Sequence, residues 1–88
     1  MKLVLDGEKI RSRDDLHKQM AAVLGFPEWY GGNLDALYDC LTDLMEEVNI
    51  HILHMSALKT TLGEYAERLL SVLKDAETLN LNIQVIID

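Results

Sequence analysis

Positive charge is missing from the middle of this chain. Between residues 19 and 58 there is no Lys or Arg, while Glu28, Asp35, Asp39, Asp43, Glu46 and Glu47 all fall there. The formal net charge of the 88 residues is −7. Non-specific binding to nucleic acid or to anionic membrane needs cationic surface, so both are disfavoured and a basic partner fits better. There is one cysteine, Cys40, which excludes an intramolecular disulfide and any metal site built on paired cysteines. There is one proline and no Ser/Gly/Pro tract, so no linker divides the chain, and no internal repeat is visible. No apolar run approaches the roughly 18 residues of a membrane span. The opening Met1-Lys2-Leu3-Val4-Leu5-Asp6 turns acidic after three apolar residues, unlike a signal peptide, so the cytoplasm is expected.

What is present is the composition of a globular domain, 49% hydrophobic and 26% charged. Lys2–Leu5 is a short apolar run closed by Asp6-Gly7, the pattern of a strand and a turn. Ser12-Arg13-Asp14-Asp15 has the form of a capping box. The helix it opens places Leu16, Met20, Val23 and Leu24 inward, and Gly25 with Pro27 ends it. Residues 25–33 form a loop that contains Trp29 and Tyr30.

Asn33 is an N-cap for a second helix, in which Leu34, Leu37, Leu41, Leu44 and Met45 recur at helical spacing. Val48–Leu53 is a second strand, with Val48, Ile50 and Ile52 on one face. Ser56 is a candidate cap for a short helix ending near Gly63. Glu64–Leu79 is a longer helix with Tyr65, Leu69, Val72, Leu73 and Ala76 inward, and Ile83–Ile87 a third, aliphatic strand. Strands separated by helical crossovers predict an α/β fold, a small three-stranded parallel sheet packed with about four helices.

Function is read from the second helix. At 100° per residue its apolar side chains span about 280° to 20°, while Asp35, Asp39 and Asp43 lie at about 100°, 140° and 180°. They form an acidic stripe pointing away from the core. Such a stripe is often only a solvated face. Here Asp43, Glu46 and Glu47 oppose the helix dipole, like charges repeat at i,i+4, and no Lys offsets them. A helix that breaks local rules in this way is a candidate functional site. Trp29 and Tyr30 beside it are either interface anchors or a lid over the core.

Other chemistry finds little support. His51 and His54, three apart in a strand, point to opposite faces and suit a metal poorly. His17 reads as structural. Aspartates on an exposed helix face lack a cage for Mg²⁺. Cys40 has no basic neighbour to lower its pKa and reads as a packing residue. Asp6, at a strand end, could accept a phosphoryl group, but the chain is short for a receiver domain and lacks its later Lys. There is no Gly-rich phosphate loop and no Ser/His/Asp set, so no enzyme, catalytic residue, metal or cofactor is expected.

The chain resembles the barstar family, intracellular inhibitors of barnase-type ribonucleases. The resemblance runs through Gly7-Glu8, Ile10-Arg11-Ser12 and Asp15-Leu16-His17, and is densest from Leu24 to Thr42, which includes Pro27-Glu28-Trp29-Tyr30-Gly31-Gly32-Asn33-Leu34-Asp35-Ala36-Leu37-Tyr38-Asp39-Cys40-Leu41-Thr42. It implies one barstar-like domain over 1–88 and the fold just derived. It also implies a plug for the cationic active site of a small, basic, extracellular-type ribonuclease, with no direct contact to nucleic acid or membrane, and a free protein that is monomeric.

Carried over by position, Asp39 is the central phosphate mimic, facing Arg and His groups of the enzyme. Asp35 meets a second basic or guanine-site residue, and Trp29, where the family has Tyr, stacks on the catalytic His. Tyr30, Gly31, Asn33, Tyr38, Thr42 and Asp43 line the contact, and Asp75 matches a family Glu. Trp29 and Tyr38 reverse the family's Tyr and Trp, Leu44 replaces a Trp, Leu79 a second Glu, and Asp43 a Gly. These departures leave the target open. An acidic module that docks a basic partner other than a nuclease is the alternative.

Overall fold

The computed structural model describes residues 1–88. Its elements run β1 (Lys2–Asp6), α1 (Arg13–Leu24), α2 (Leu34–Thr42), β2 (Val48–Leu53), α3 (Met55–Leu62), α4 (Glu64–Leu79) and β3 (Ile83–Ile87). The strands form one parallel sheet in the order β1-β2-β3, with Leu3 opposite Ile50 and Ile50 opposite Val85. The expected α/β architecture of three parallel strands and four helices is therefore present. No helix is long and apolar enough to cross a membrane.

Burial alternates along the strands up to Ile87, which is exposed at the end of β3. Leu3, Leu5, Val48, Ile50, Ile52, Ile83 and Val85 close onto the core, where Leu16, Met20, Leu37, Leu41, Leu58, Leu69 and Leu73 meet them. Lys2, Val4, Asn49 and Gln84 point the other way and are exposed. This period-two pattern turns the core-forming aliphatic side chains of all three strands to one face of the pleat.

Local signals act largely as the sequence predicts. Ser12 Oγ accepts from the Asp15 amide at 3.0 Å and caps α1. The Asp15 carboxylate accepts from the Arg11 amide rather than from Ser12, so the box closes one residue earlier. Gly25 ends α1 at φ 71°, a left-handed conformation that glycine adopts without steric cost.

Three expectations need correction. Val23 is 44% exposed rather than inward. The buried arc of α1 runs from Leu16 through Met20 and Leu24 to His17, and Val23 falls about 20° outside it at 100° per residue. The second helix stops at Thr42, and Met45 is 88% exposed. Its stop is tertiary: Asn80 Nδ2 donates to the Leu41 and Leu44 carbonyls at 3.0 and 2.9 Å. Ser56 does not cap α3, which starts at Met55. β2 passes into α3 through His54 alone, and His54 makes the turn with φ 54° and ψ 54° and no side-chain cap.

Candidate partner-binding face

The loop between α1 and α2 and the outer side of α2 make the candidate site. The Tyr30 amide donates to the Pro27 carbonyl at 2.9 Å, which folds the loop into a turn. That turn sends two adjacent aromatics in opposite directions. Trp29 is 85% exposed. Tyr30 is half-buried against Phe26, with ring centroids 4.9 Å apart. Trp29 is thus available to a partner, while Tyr30 lids the core.

Tyr30 is also pinned. Its hydroxyl lies 2.6 Å from His17 Nδ1, and His17 Nε2 lies 2.6 Å from the Tyr65 hydroxyl. His17 is 3% exposed, which bears out its structural reading. A neutral imidazole has one donor and one acceptor nitrogen, so one tyrosine accepts from the ring and the other donates to it. Burial holds the His17 pKa below its ordinary value, against a smaller opposing effect of Asp14. Burial pushes the Tyr30 and Tyr65 phenols up.

Past Gly31 and Gly32, Asn33 caps α2. Its Oδ1 accepts from the Ala36 amide at 2.8 Å. The cap fixes the rotation of the helix and hence where the acids point. Asp35, Asp39 and Asp43 are all exposed, as the wheel predicts. Asp43 stands at the C-cap with φ −90° and ψ −7°. Tyr38 and Thr42 are half-buried beside them. Thr42 Oγ1 points back along the helix and donates to the Tyr38 and Asp39 carbonyls.

None of these acids has an intramolecular ion pair. The ion pairs of the structure are Lys18–Asp14 and those of His54 with Asp6 and Glu8. Trp29, Asp39, Asp43 and Leu44 share an open groove of about 360 Å³ with the end of α1 and the loop. Trp29 and two members of the stripe therefore border one depression. Asp75 is exposed on α4, which packs against α2. Cys40 borders the same groove, and its thiol is pushed up, first by burial and then by the Asp43 and Asp39 charges. It is a poor nucleophile.

Two features escaped the sequence reading. Arg68 and Tyr65 share a shallow groove with Asn33 and Asp35, so a cation borders one end of the acidic face. Only the α2–α4 packing reveals this. Asp6, Glu8 and His54 also come together, with ligand atoms within 4.8 Å of one another. His54 Nδ1 donates to Asp6 Oδ1 at 2.9 Å, which raises the His54 pKa and lowers that of Asp6. This is the signature of an ion pair. The His54 ring donates and the Asp6 carboxylate accepts, and Glu8 Oε1 lies 3.5 Å from the same ring nitrogen.

Fold and face together define a small α/β protein that carries an unpaired acidic helix beside an exposed tryptophan. A family model described as Barstar (barnase inhibitor) matches residues 1–87. The chain is 35% identical over 89 residues to a Bacillus subtilis (strain 168) protein described as "Putative ribonuclease inhibitor YrdF", covering 99% of this chain and 98% of that protein. The chain belongs to the Barstar family, which is one of inhibitors and not of enzymes.

Proposed function

We propose that this protein is a ribonuclease inhibitor that blocks the active site of a small basic ribonuclease with α2 and the loop before it. The reading rests above all on Asp35, Asp39 and Asp43, which are exposed and unpaired beside Trp29. Family membership and the description of the B. subtilis relative support it.

The physical logic follows from the substrate. RNA is a polyanion, so the groove that binds it is cationic. Carboxylates spaced along one side of a helix can occupy phosphate subsites and make charge-assisted hydrogen bonds to Arg, Lys and His. A nuclease groove so filled cannot hold RNA, and inhibition is competitive. Asp39 takes the centre and Asp35 and Asp43 flank it. Trp29 stacks on an exposed ring of the enzyme. Tyr30, Gly31 and Asn33 set the loop and helix start, Tyr38 and Thr42 fill the contact, and Asp75 reaches it from α4. The 1–88 domain acts as a cytoplasmic monomer on a barnase-like, extracellular-type enzyme. Leu44 and Leu79 give its rim an apolar character.

The test is an RNA-cleavage titration of barnase with the purified protein. A stoichiometric endpoint is expected. Asp39→Ala weakens binding by on the order of 3 kcal/mol, roughly a hundredfold, because the enzyme's facing cations lose their partner. Asp14→Ala, outside the face, leaves it unchanged. Equal effects from both variants overturn the site. No inhibition of barnase, with capture of a basic protein that is not a nuclease, replaces this reading with a docking module of another class.

A further inference from the structure

Residues 27–32, the part of the loop that presents Trp29, make a single hydrogen bond to the rest of the molecule. Of all hydrogen bonds made by residues 27–32, the Tyr30 amide bond to Pro27 stays within the loop. The Tyr30 hydroxyl bond to His17 is the one that leaves it. His17 is in turn held from its far side by Tyr65, on α4. Arg13 closes the stack, with its guanidinium carbon 4.2 Å from the centroid of the Tyr65 ring.

We propose that Tyr65 is a positioning residue for the partner-binding loop, acting through His17 on Tyr30 and so on the pose of Trp29; the functional meaning of that pose rests on the inhibitor reading. A buried imidazole needs both nitrogens satisfied, and here two phenols satisfy them. The donor–acceptor sense on one nitrogen fixes the sense on the other. Removing the Tyr65 hydroxyl leaves Nε2 unpaired among apolar groups. His17 then gains by turning or by admitting water, and either change loosens its bond to Tyr30. No backbone bond from residues 27–32 to another element compensates. Tyr65 itself is buried and offers a partner almost no surface. Its influence is therefore indirect, on how far the loop is organised before binding.

Tyr65→Phe isolates the effect, since it keeps the ring and its contact with Arg13. Backbone ¹⁵N order parameters of the free protein give the first readout. Residues 28–32 are expected to fall from about 0.85 in the parent to about 0.6 or below in Tyr65→Phe, while β2 stays near 0.85. Tyr30→Phe gives the same pattern. Barnase gives the second readout. Dissociation of Tyr65→Phe is about fivefold faster, the worth of one hydrogen bond, with association within about twofold of the parent. The Tyr30→Phe/Tyr65→Phe pair is no worse than Tyr30→Phe alone, because both cut one chain.

An unchanged loop in Tyr65→Phe overturns the proposal. So does a loss of order that includes β2, which would mark a general packing role, and so do additive effects of the two substitutions. If the parent fails to inhibit barnase while the order parameters change as stated, the inhibitor reading falls and the positioning role stands.

Discussion

The side-chain amide of Asn80 donates to the carbonyl of Leu41 at 3.0 Å, so the turn that follows α4 caps the end of α2. The same nitrogen reaches the Leu44 carbonyl at 2.9 Å, and Asn82 Nδ2 reaches that carbonyl at 3.3 Å. The last carbonyls of a helix have no partner within it, and those turned inward need one. Asn80→Ala removes both bonds donated by Asn80 Nδ2, and with them the one that Asn80 Oδ1 accepts from the Asn82 amide at 3.0 Å, and is expected to destabilise the fold by about 2–3 kcal/mol. Urea unfolding measures this, and Asn82→Ala, with the longer single contact, costs less.

Two histidines give stability opposite dependences on pH. His17 has a depressed pKa in the folded state through burial. Its contribution is complete above the ordinary value of about 6.5 and is lost as pH falls, because the unfolded chain takes up the proton first. His54 has a raised pKa, chiefly from its hydrogen bond to Asp6. Its contribution is complete below about 6.5 and is lost as pH rises through the folded value. Stability therefore peaks near the ordinary histidine pKa. His17→Gln flattens the acid limb of a stability profile between pH 5 and 8, and His54→Gln flattens the alkaline limb. The His54 effect is the smaller, since that pair is solvated.

Gly7 sits where the end of β1 meets the β2–α3 junction. A Cβ there would lie 2.2 Å from the His54 carbonyl oxygen and 2.7 Å from the Leu58 nitrogen, both backbone atoms. Gly7→Ala is expected to cost about 3 kcal/mol, at the upper end for overpacking. Gly32→Ala meets open space, and only its φ of 65° is at stake. It costs about 1 kcal/mol. Thermal melts of the two variants separate crowding from backbone preference.

Association with barnase is expected to slow roughly tenfold between about 0.05 and 0.5 M salt, because exposed charges attract one another only within a Debye length. A variant with Asn at 35, 39 and 43 flattens that slope, as stopped-flow mixing would show.

The sequence was most legible where a single periodicity ruled. β2, α4 and β3 have the bounds their patterns predict, and the stripe of Asp35, Asp39 and Asp43 follows from helix geometry and an N-cap. It was illegible where the deciding group is remote. Leu44 and Met45 continue the apolar spacing of α2, and nothing local ends it. Asn80, 39 residues beyond Leu41, marks the end. Trp29 and Tyr30 are neighbours of similar chemistry, and their opposite fates depend on His17, a residue of another element. The Asp6–His54 pair joins the ends of two parallel strands far apart in the chain, a relationship no spacing rule contains.

Trp29 is the chain's one tryptophan, and it stands almost wholly in water in the folded protein. Its emission therefore barely distinguishes folded from unfolded chains. A blue shift or quenching on mixing reports that something has covered this ring. The protein carries its own optical probe of the proposed face, one that is nearly blind to the stability of everything behind it.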